Sequence, residues 1–345
     1  MYLSEFDYDL PDELIAQQPL ERRDASRMLV VNRHTRTWTE YSFASFPELV
    51  HTGDVVVINN TRVFPARLLG HRDPSGGRVE VLLFREIDAS VWEALVRPAH
   101  RLNQGARVRF GESSLRAEVV GCSSGGLRQL KFAGEKPLDV LIDEVGQTPL
   151  PPYIKRTGGS SATDKERYQT IFAREQGAIA APTAGLHFTT AIMQALRERG
   201  AGIAEITLHV GYGTFEPVRT DEIAAHKVAA EFFEISDAAA KMINEARARG
   251  GRVIAIGTTT TRGLETAAGE DGIIQPQNGA TDLTIKPGYK FTAVDALLTN
   301  FHLPRSSLLI LVSAFAGRKL VLNAYRAAVK ARFRFYSYGD CMLVI

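Results

Sequence analysis

Apolar positions along this chain change their period twice. Residues 54–58 (Asp-Val-Val-Val-Ile) are a continuous β-branched run, the pattern of a strand buried on both faces. Residues 203–210, 253–256 and 294–299 read the same way, and 28–31, 37–41 and 342–345 read as further strands. Helical periods lie between them. In 190–199, Ile192, Met193 and Leu196 share one face and Gly200 closes the helix. Ser236 caps a helix running to Arg249, and Thr163 with Glu166 predicts a capping box for a helix beginning at Asp164. Shorter helices are predicted over 12–18 and 46–50.

From about residue 66 to 135 the pattern is different. Short alternating segments at 78–84, 91–96, 107–110, 115–120 and 127–132 are separated by glycines. Strands at this spacing, without a helical period, predict a small β-barrel or sandwich. Pro149-Leu150-Pro151-Pro152 is a stiff connector that ends this stretch, and 158–161 (Gly-Gly-Ser-Ser) predicts an exposed, flexible lid. The helix–strand alternation then resumes.

Composition narrows the class. A chain of 345 residues can hold a large core and a second domain. With 41 basic and 39 acidic residues, overall charge demands no anionic partner. The charge is unevenly spread, however: residues 61–136 hold 13 Lys/Arg against 8 Asp/Glu. That surplus reads equally as a solvated face or as a surface for a polyanion. Residues 317–338 hold six basic residues, including Arg326 and Lys330, and no acidic one, with Phe333, Phe335, Tyr336 and Tyr338 interleaved. Such a segment suits nucleic acid, and equally a surface helix followed by a core strand. Cys122 and Cys341 are far apart, which predicts a reducing compartment and no structural zinc. The first residues do not form a signal peptide, and the apolar run 308–315 is too short for a membrane span. A cytoplasmic, metal-free monomer without membrane contact is the expectation.

Candidate chemistry collects at strand ends, where α/β sheets bind ligands. Asn59-Asn60-Thr61-Arg62 follows the first buried run, as a turn or a ligand loop. His187 lies in Ala-Pro-Thr-Ala-Gly-Leu-His-Phe, ending at Phe188. His209 ends the run 203–210 and is followed by Gly211 and Gly213, which let the backbone approach a ligand. His302 follows Asn300 and precedes Arg305. The run 253–256 turns through Gly257-Thr258-Thr259 into a helix whose N-terminus is an anion site, or is simply capped by Thr.

These segments resemble one family over almost the whole chain: the S-adenosylmethionine:tRNA ribosyltransferase-isomerases of queuosine biosynthesis. The resemblance is carried by residues 14–19, 59–67, 151–154, 180–188, 207–215, 295–304 and 334–340, seven motifs in order. The chain departs from the family pattern at Val228 and Ala229, where Met and a second His are common. The fold implied is α/β, a large mixed-sheet αβ domain (1–65 and 151–345) with an inserted small β-barrel domain (66–150), in line with the periodicity. The activity implied is transfer and isomerisation of the ribosyl part of S-adenosylmethionine, as co-substrate. The acceptor implied is 7-aminomethyl-7-deazaguanine at the tRNA wobble position. The product is epoxyqueuosine-tRNA, adenine and methionine leave, and no metal is implied.

That chemistry needs a base of near-neutral pKa to take a ribose 5′ proton beside the sulfonium. His187, His209 and His302 are the candidates, expected to share one cavity. Thr258, Thr259 and Arg262, then Arg305, are the expected anion binders for the methionine carboxylate. Phe188 and Phe215 face the sulfonium or adenine, or pack the core. Thr183, Gly185, Gly211, Gly213 and Asn300 complete the expected S-adenosylmethionine site. Asn60 and Arg62 are expected to hold ribose or phosphate, His226 and Glu231 to form a hydrogen-bonded pair, and Arg326 and Lys330 to contact tRNA. The competing readings are a non-catalytic RNA-binding protein and an S-adenosylmethionine-dependent RNA methyltransferase. The latter lacks a Gly-rich loop after an early strand.

Overall fold

The computed structural model describes residues 1–345 except 124–125, 157–158, 212 and 214–216. In chain order, β1 (Arg27–Asn32) and β2 (Thr37–Ser42) form a hairpin. The buried β3 (Val55–Asn59) follows, then the short β4 (Thr61–Val63). Six strands come next: β5 (Arg67–Asp73), β6 (Arg78–Asp88), β7 (Val91–Arg97), β8 (Arg107–Arg109), β9 (Arg116–Cys122) and β10 (Arg128–Ala133). They close into a barrel in the order β10-β7-β6-β5-β8-β9. Helix α1 (Leu138–Val145) packs Leu141 and Ile142 against the barrel core.

The chain then returns through α2 (Ala162–Arg167) and β11 (Glu175–Ala178), which pairs with β4. It continues as α3 (Thr190–Glu198), β12 (Gly202–Leu208), β13 (Glu231–Ile235), α4 (Asp237–Ala248), β14 (Val253–Ile256) and α5 (Thr258–Ala267). The last elements are β15 (Gln277–Thr281), β16 (Ala296–Asn300), α6 (Ser307–Ala316), α7 (Arg318–Lys330) and β17 (Cys341–Val344). The main sheet has the order β15-β13-β12-β3-β14-β16-β17-β1-β2. Its centre, β12-β3-β14-β16, is parallel, so these four strands end at one edge. Alternate residues of β3 serve opposite faces. Val55 and Val57 join the core beneath α4–α7, whereas Val56 and Ile58 join the core that holds Phe43, Phe46 and α3.

Several local expectations need correction. Residues 12–18 hold only a single 3-10 turn, Asp12–Leu14, and Pro47 keeps Phe43–Leu49 a 3-10 segment. The α2 capping box is Ser161 with Asp164, not Thr163 with Glu166, so the helix starts earlier than expected. Ser160 and Ser161 are not a free lid: Ser160 Oγ accepts from the Thr148 N–H at 3.1 Å, and Ser161 is the cap. Gly158 lies outside the described residues. Phe333, Phe335 and Tyr338 are core residues rather than stacking platforms. The outer face of α7 instead presents Lys319, Arg326 and Lys330, all exposed.

Asp164 ties α2 to the C-terminal segment. It binds Arg156 at 2.8 Å and the Tyr338 hydroxyl at 3.3 Å. Burial alone would raise its carboxyl. The Arg156 guanidinium and the Ser161 N–H and hydroxyl outweigh that and hold it at about 2, against 3.8 when free. A depressed carboxylate stabilises the fold above its unfolded pKa and loses that contribution as pH falls. Asp164→Ala is expected to destabilise the protein by about 3 kcal/mol in urea unfolding at pH 7. The gap from wild type should narrow between about pH 4 and pH 2. A pH-independent gap would contradict this account.

Candidate active site at the parallel strand ends

Asn59 shapes this edge of the sheet. Its side-chain amide donates to the Leu208 carbonyl at 2.9 Å and accepts from the Leu208 N–H at 3.0 Å. The same oxygen accepts from the Thr61 N–H at 3.1 Å. One side chain thus replaces backbone pairing where β4 leaves the sheet, and it sets His209 opposite Thr61. His209 Nδ1 lies 2.8 Å from Thr61 Oγ1, and the ring stacks on Phe232 at 5.6 Å. Thr61 Oγ1 also reaches the Glu175 carbonyl at 3.5 Å. A hydroxyl carries one proton, so when it donates to that carbonyl it accepts from Nδ1–H, leaving the Nε2 lone pair free. Burial lowers the His209 pKa below the ordinary 6.5, against the opposing pull of Glu175 and Glu234. Gly177 lets the ring sit here, because a Cβ at that position would lie 2.6 Å from Nε2.

His209 lines a cavity of about 960 Å³ between the barrel and the sheet. The barrel side contributes Phe64, Phe84 and Trp92; the sheet side contributes His209, Gly211, Gly213 and Phe232. Arg85 and Glu93 on the wall pair with each other and Glu231 pairs with Arg262, so Glu86 and Asp139 give the walls their acidic character. Trp92 Nε1 is buried and has no hydrogen-bond partner among the described residues. A cavity of this size is ample for a nucleoside.

The expected sharing of one cavity by three histidines is not met. His187 is buried, with Nδ1 2.8 Å from Ser26 Oγ and Nε2 3.3 Å from Asn300 Nδ2. Burial, reinforced by Arg334 and Arg23, takes its pKa to about 3, and it lines a separate small pocket with Arg23 and Arg167. His302 lines a strand-end pocket of about 50 Å³ with Thr183, Thr258, Thr259 and Asn300. Its Nε2 lies 2.8 Å from Thr299 Oγ1, and burial takes its pKa to about 3. Helix α5 opens into this pocket after Gly257, at φ +95° and without a side-chain cap. Asn300 Oδ1 is buried there without a partner among the described residues.

Other expected residues take supporting places. Arg262 does not line the strand-end pocket. It forms a buried ion pair with Glu231 and donates to the Leu283 and Thr281 carbonyls at 3.0 and 3.2 Å. Glu231 in turn accepts from the Gly211 N–H at 2.8 Å, so the pair anchors the loop after His209. His226 does not bond Glu231; its Nε2 lies 2.7 Å from Ser307 Oγ. Arg305 is exposed and ion-paired to Asp7. Phe188 is fully buried between Phe43, Phe46 and Phe172, so it packs the core. Gly185 packs too: a Cβ there would lie 2.8 Å from Phe172 and Thr170. Asn60 is buried and accepts from the Thr207 hydroxyl at 2.7 Å. Arg62 is exposed on β4. Phe215 lies outside the described residues. Sequence reasoning missed the barrel wall of Phe64, Phe84 and Trp92, which meets His209 only through the tertiary fold.

Fold and site together define an α/β enzyme whose cleft is roofed by a β-barrel, with an imidazole at a parallel strand end. The family described as queuosine biosynthesis protein matches residues 3–344, and the chain belongs to that family. It is 51% identical, over the full length of both chains, to the S-adenosylmethionine:tRNA ribosyltransferase-isomerases of Moorella thermoacetica and Symbiobacterium thermophilum. The crystal structure of the Thermotoga maritima S-adenosylmethionine tRNA ribosyltransferase is similar at 38% identity and a TM-score of 0.56, covering 99% of this chain and 100% of that one.

Gly177→Ala places a methyl against the His209 ring and is expected to cut turnover about 10- to 100-fold with a small change in melting temperature. Unchanged turnover would show that the ring position is not critical.

Proposed function

We propose that this chain transfers and isomerises the ribosyl moiety of S-adenosylmethionine onto 7-aminomethyl-7-deazaguanine at the tRNA wobble position. Epoxyqueuosine-tRNA is formed, and adenine and methionine are released. Membership of the family carries the reaction class. The observation that carries the site assignment is His209: an imidazole held through Nδ1 by Thr61, with no hydrogen bond to Nε2 among the described residues, in a cavity of about 960 Å³.

Bound S-adenosylmethionine supplies a sulfonium that acidifies the neighbouring ribose 5′ hydrogens. His209 Nε2 takes one of these as general base, and Thr61 holds the ring through Nδ1. The strand-end pocket suits the methionine carboxylate, because uncapped N–H groups of α5 and the Thr258 and Thr259 side chains converge there. Asn300 Oδ1, an orphaned acceptor, suits the amino group beside that carboxylate. The cleft above His209 takes the extruded deazaguanine. Trp92 and Phe84 offer a stacking wall, and Glu86 and Asp139 balance the charge of its aminomethyl group. A single chain supplies both walls. The exposed Lys319, Arg326 and Lys330 face of α7 suits tRNA phosphates.

The test is adenine release from S-adenosylmethionine, with tRNA carrying the aminomethyl-deazaguanine or with unmodified tRNA. Release is expected only with the modified tRNA. A methylated RNA product or an absence of turnover would overturn the reading. His209→Ala is expected to lower the rate about 100- to 10,000-fold. Because burial lowers the His209 pKa, its ring is neutral at pH 7 and the acid limb of kcat/KM should fall below pH 6.5. An acid limb above 6.5 would contradict a His209 pKa lowered by burial.

A further inference from the structure

Outward-facing residues of the barrel form cross-strand rows, because directly paired residues of adjacent strands lie on the same face. One row crosses four strands. Arg78 on β6 pairs with His71 on β5, His71 with Arg109 on β8, and Arg109 with Arg116 on β9. Arg78, Arg109 and Arg116 are exposed and His71 is half-buried, while the alternate positions Val79, Val108 and Ala117 fill the barrel. Four strands at the usual spacing make this row about 14 Å long.

The neighbouring row provides an internal contrast. Two residues along the same strands, Asp73 pairs with Arg107 and Arg107 with Glu118. Charges there alternate, and Arg107 lies 3.2 Å from Glu118, as on a solvated face. The longer row contains no acidic residue. Arg116 also donates to the Ser113 and Leu115 carbonyls at 2.7 and 2.8 Å, but like charges directly opposite one another, as Arg109 and Arg116 are, destabilise a sheet. A polyanion laid across the strands would reverse the sign of that interaction.

We infer that the row Arg78–His71–Arg109–Arg116 is a binding strip for an RNA phosphate backbone, separate from the cleft. It rests on the reading that tRNA is the substrate, and extends it by assigning the outer face of β5, β6, β8 and β9 to the tRNA body. A strip of positive charge across a barrel wall contacts phosphates without reading bases, so it adds affinity rather than sequence preference.

The experiment is fluorescence anisotropy with labelled unmodified tRNA at salt concentrations from about 50 to 200 mM. Four proteins are compared: wild type, Arg109→Ala/Arg116→Ala, Arg109→Lys/Arg116→Lys and Arg107→Ala. Circular-dichroism melting verifies the fold of each. The double Ala variant is expected to bind roughly tenfold more weakly at the lowest salt, and its salt slope to fall by about 1.5–2. The double Lys variant should keep the wild-type slope, and Arg107→Ala should differ little from wild type. Wild-type affinity and slope in the double Ala variant would overturn the strip, as would an equal loss in Arg107→Ala. Failure of wild type itself to bind tRNA would instead overturn the tRNA reading, and the strip with it.

Discussion

The Asn59 side chain is the constraint on which the site depends. Where β3 ends, its amide makes a two-way bond with the backbone of Leu208 and also holds the Thr61 N–H. A residue without that amide would leave the end of β12 and the start of β4 unpaired in a buried place, which is costly. Because of it, β4 leaves the sheet at a fixed angle and pairs with β11, and the chain runs on into the barrel. The same contact sets Thr61 beside His209. Barrel, cleft and imidazole are therefore placed by one branch point.

Around that point the structure divides its charges. The buried Glu231–Arg262 pair is saturated by backbone partners and serves to fix Gly211, whereas Glu86 and Asp139 lie on the cleft wall. Breaking a buried pair costs more than such a pair contributes, so Arg262 is better suited to positioning than to ligand exchange. The three histidines are divided in the same way. His187 has both ring nitrogens hydrogen-bonded inside the core, His302 lines a narrow pocket, and His209 keeps one nitrogen for the cleft.

Much of the main sheet was legible because β3, β14 and β16 are apolar on both faces, and α3 because its three core residues keep a helical period. The barrel was legible from alternation, except for β5, whose Arg, His and Asp obscure the pattern. The edge strand β15 and its neighbour β13 were missed: Glu231 breaks the apolar face of β13, and β15 reads Gln-Asn-Gly-Ala-Thr. The strand-end residues His209, Thr258 and Asn300 were legible because glycine and hydroxyl residues follow buried runs. The cleft was not, since Trp92 meets His209 only through barrel closure, which leaves no trace in local sequence. The aromatic tail was ambiguous because Phe333 and Phe335 alternate with basic residues, and the structure resolves it toward core packing.

The most direct test of the central claim is deuterium exchange at the ribose 5′ carbon of S-adenosylmethionine, incubated with the protein and acceptor tRNA in heavy water and recovered before completion. Wild type and His187→Gln should introduce deuterium at that carbon, and His209→Gln should introduce none. Exchange that persists in His209→Gln and disappears in His187→Gln would place the base in the core pocket and contradict the account.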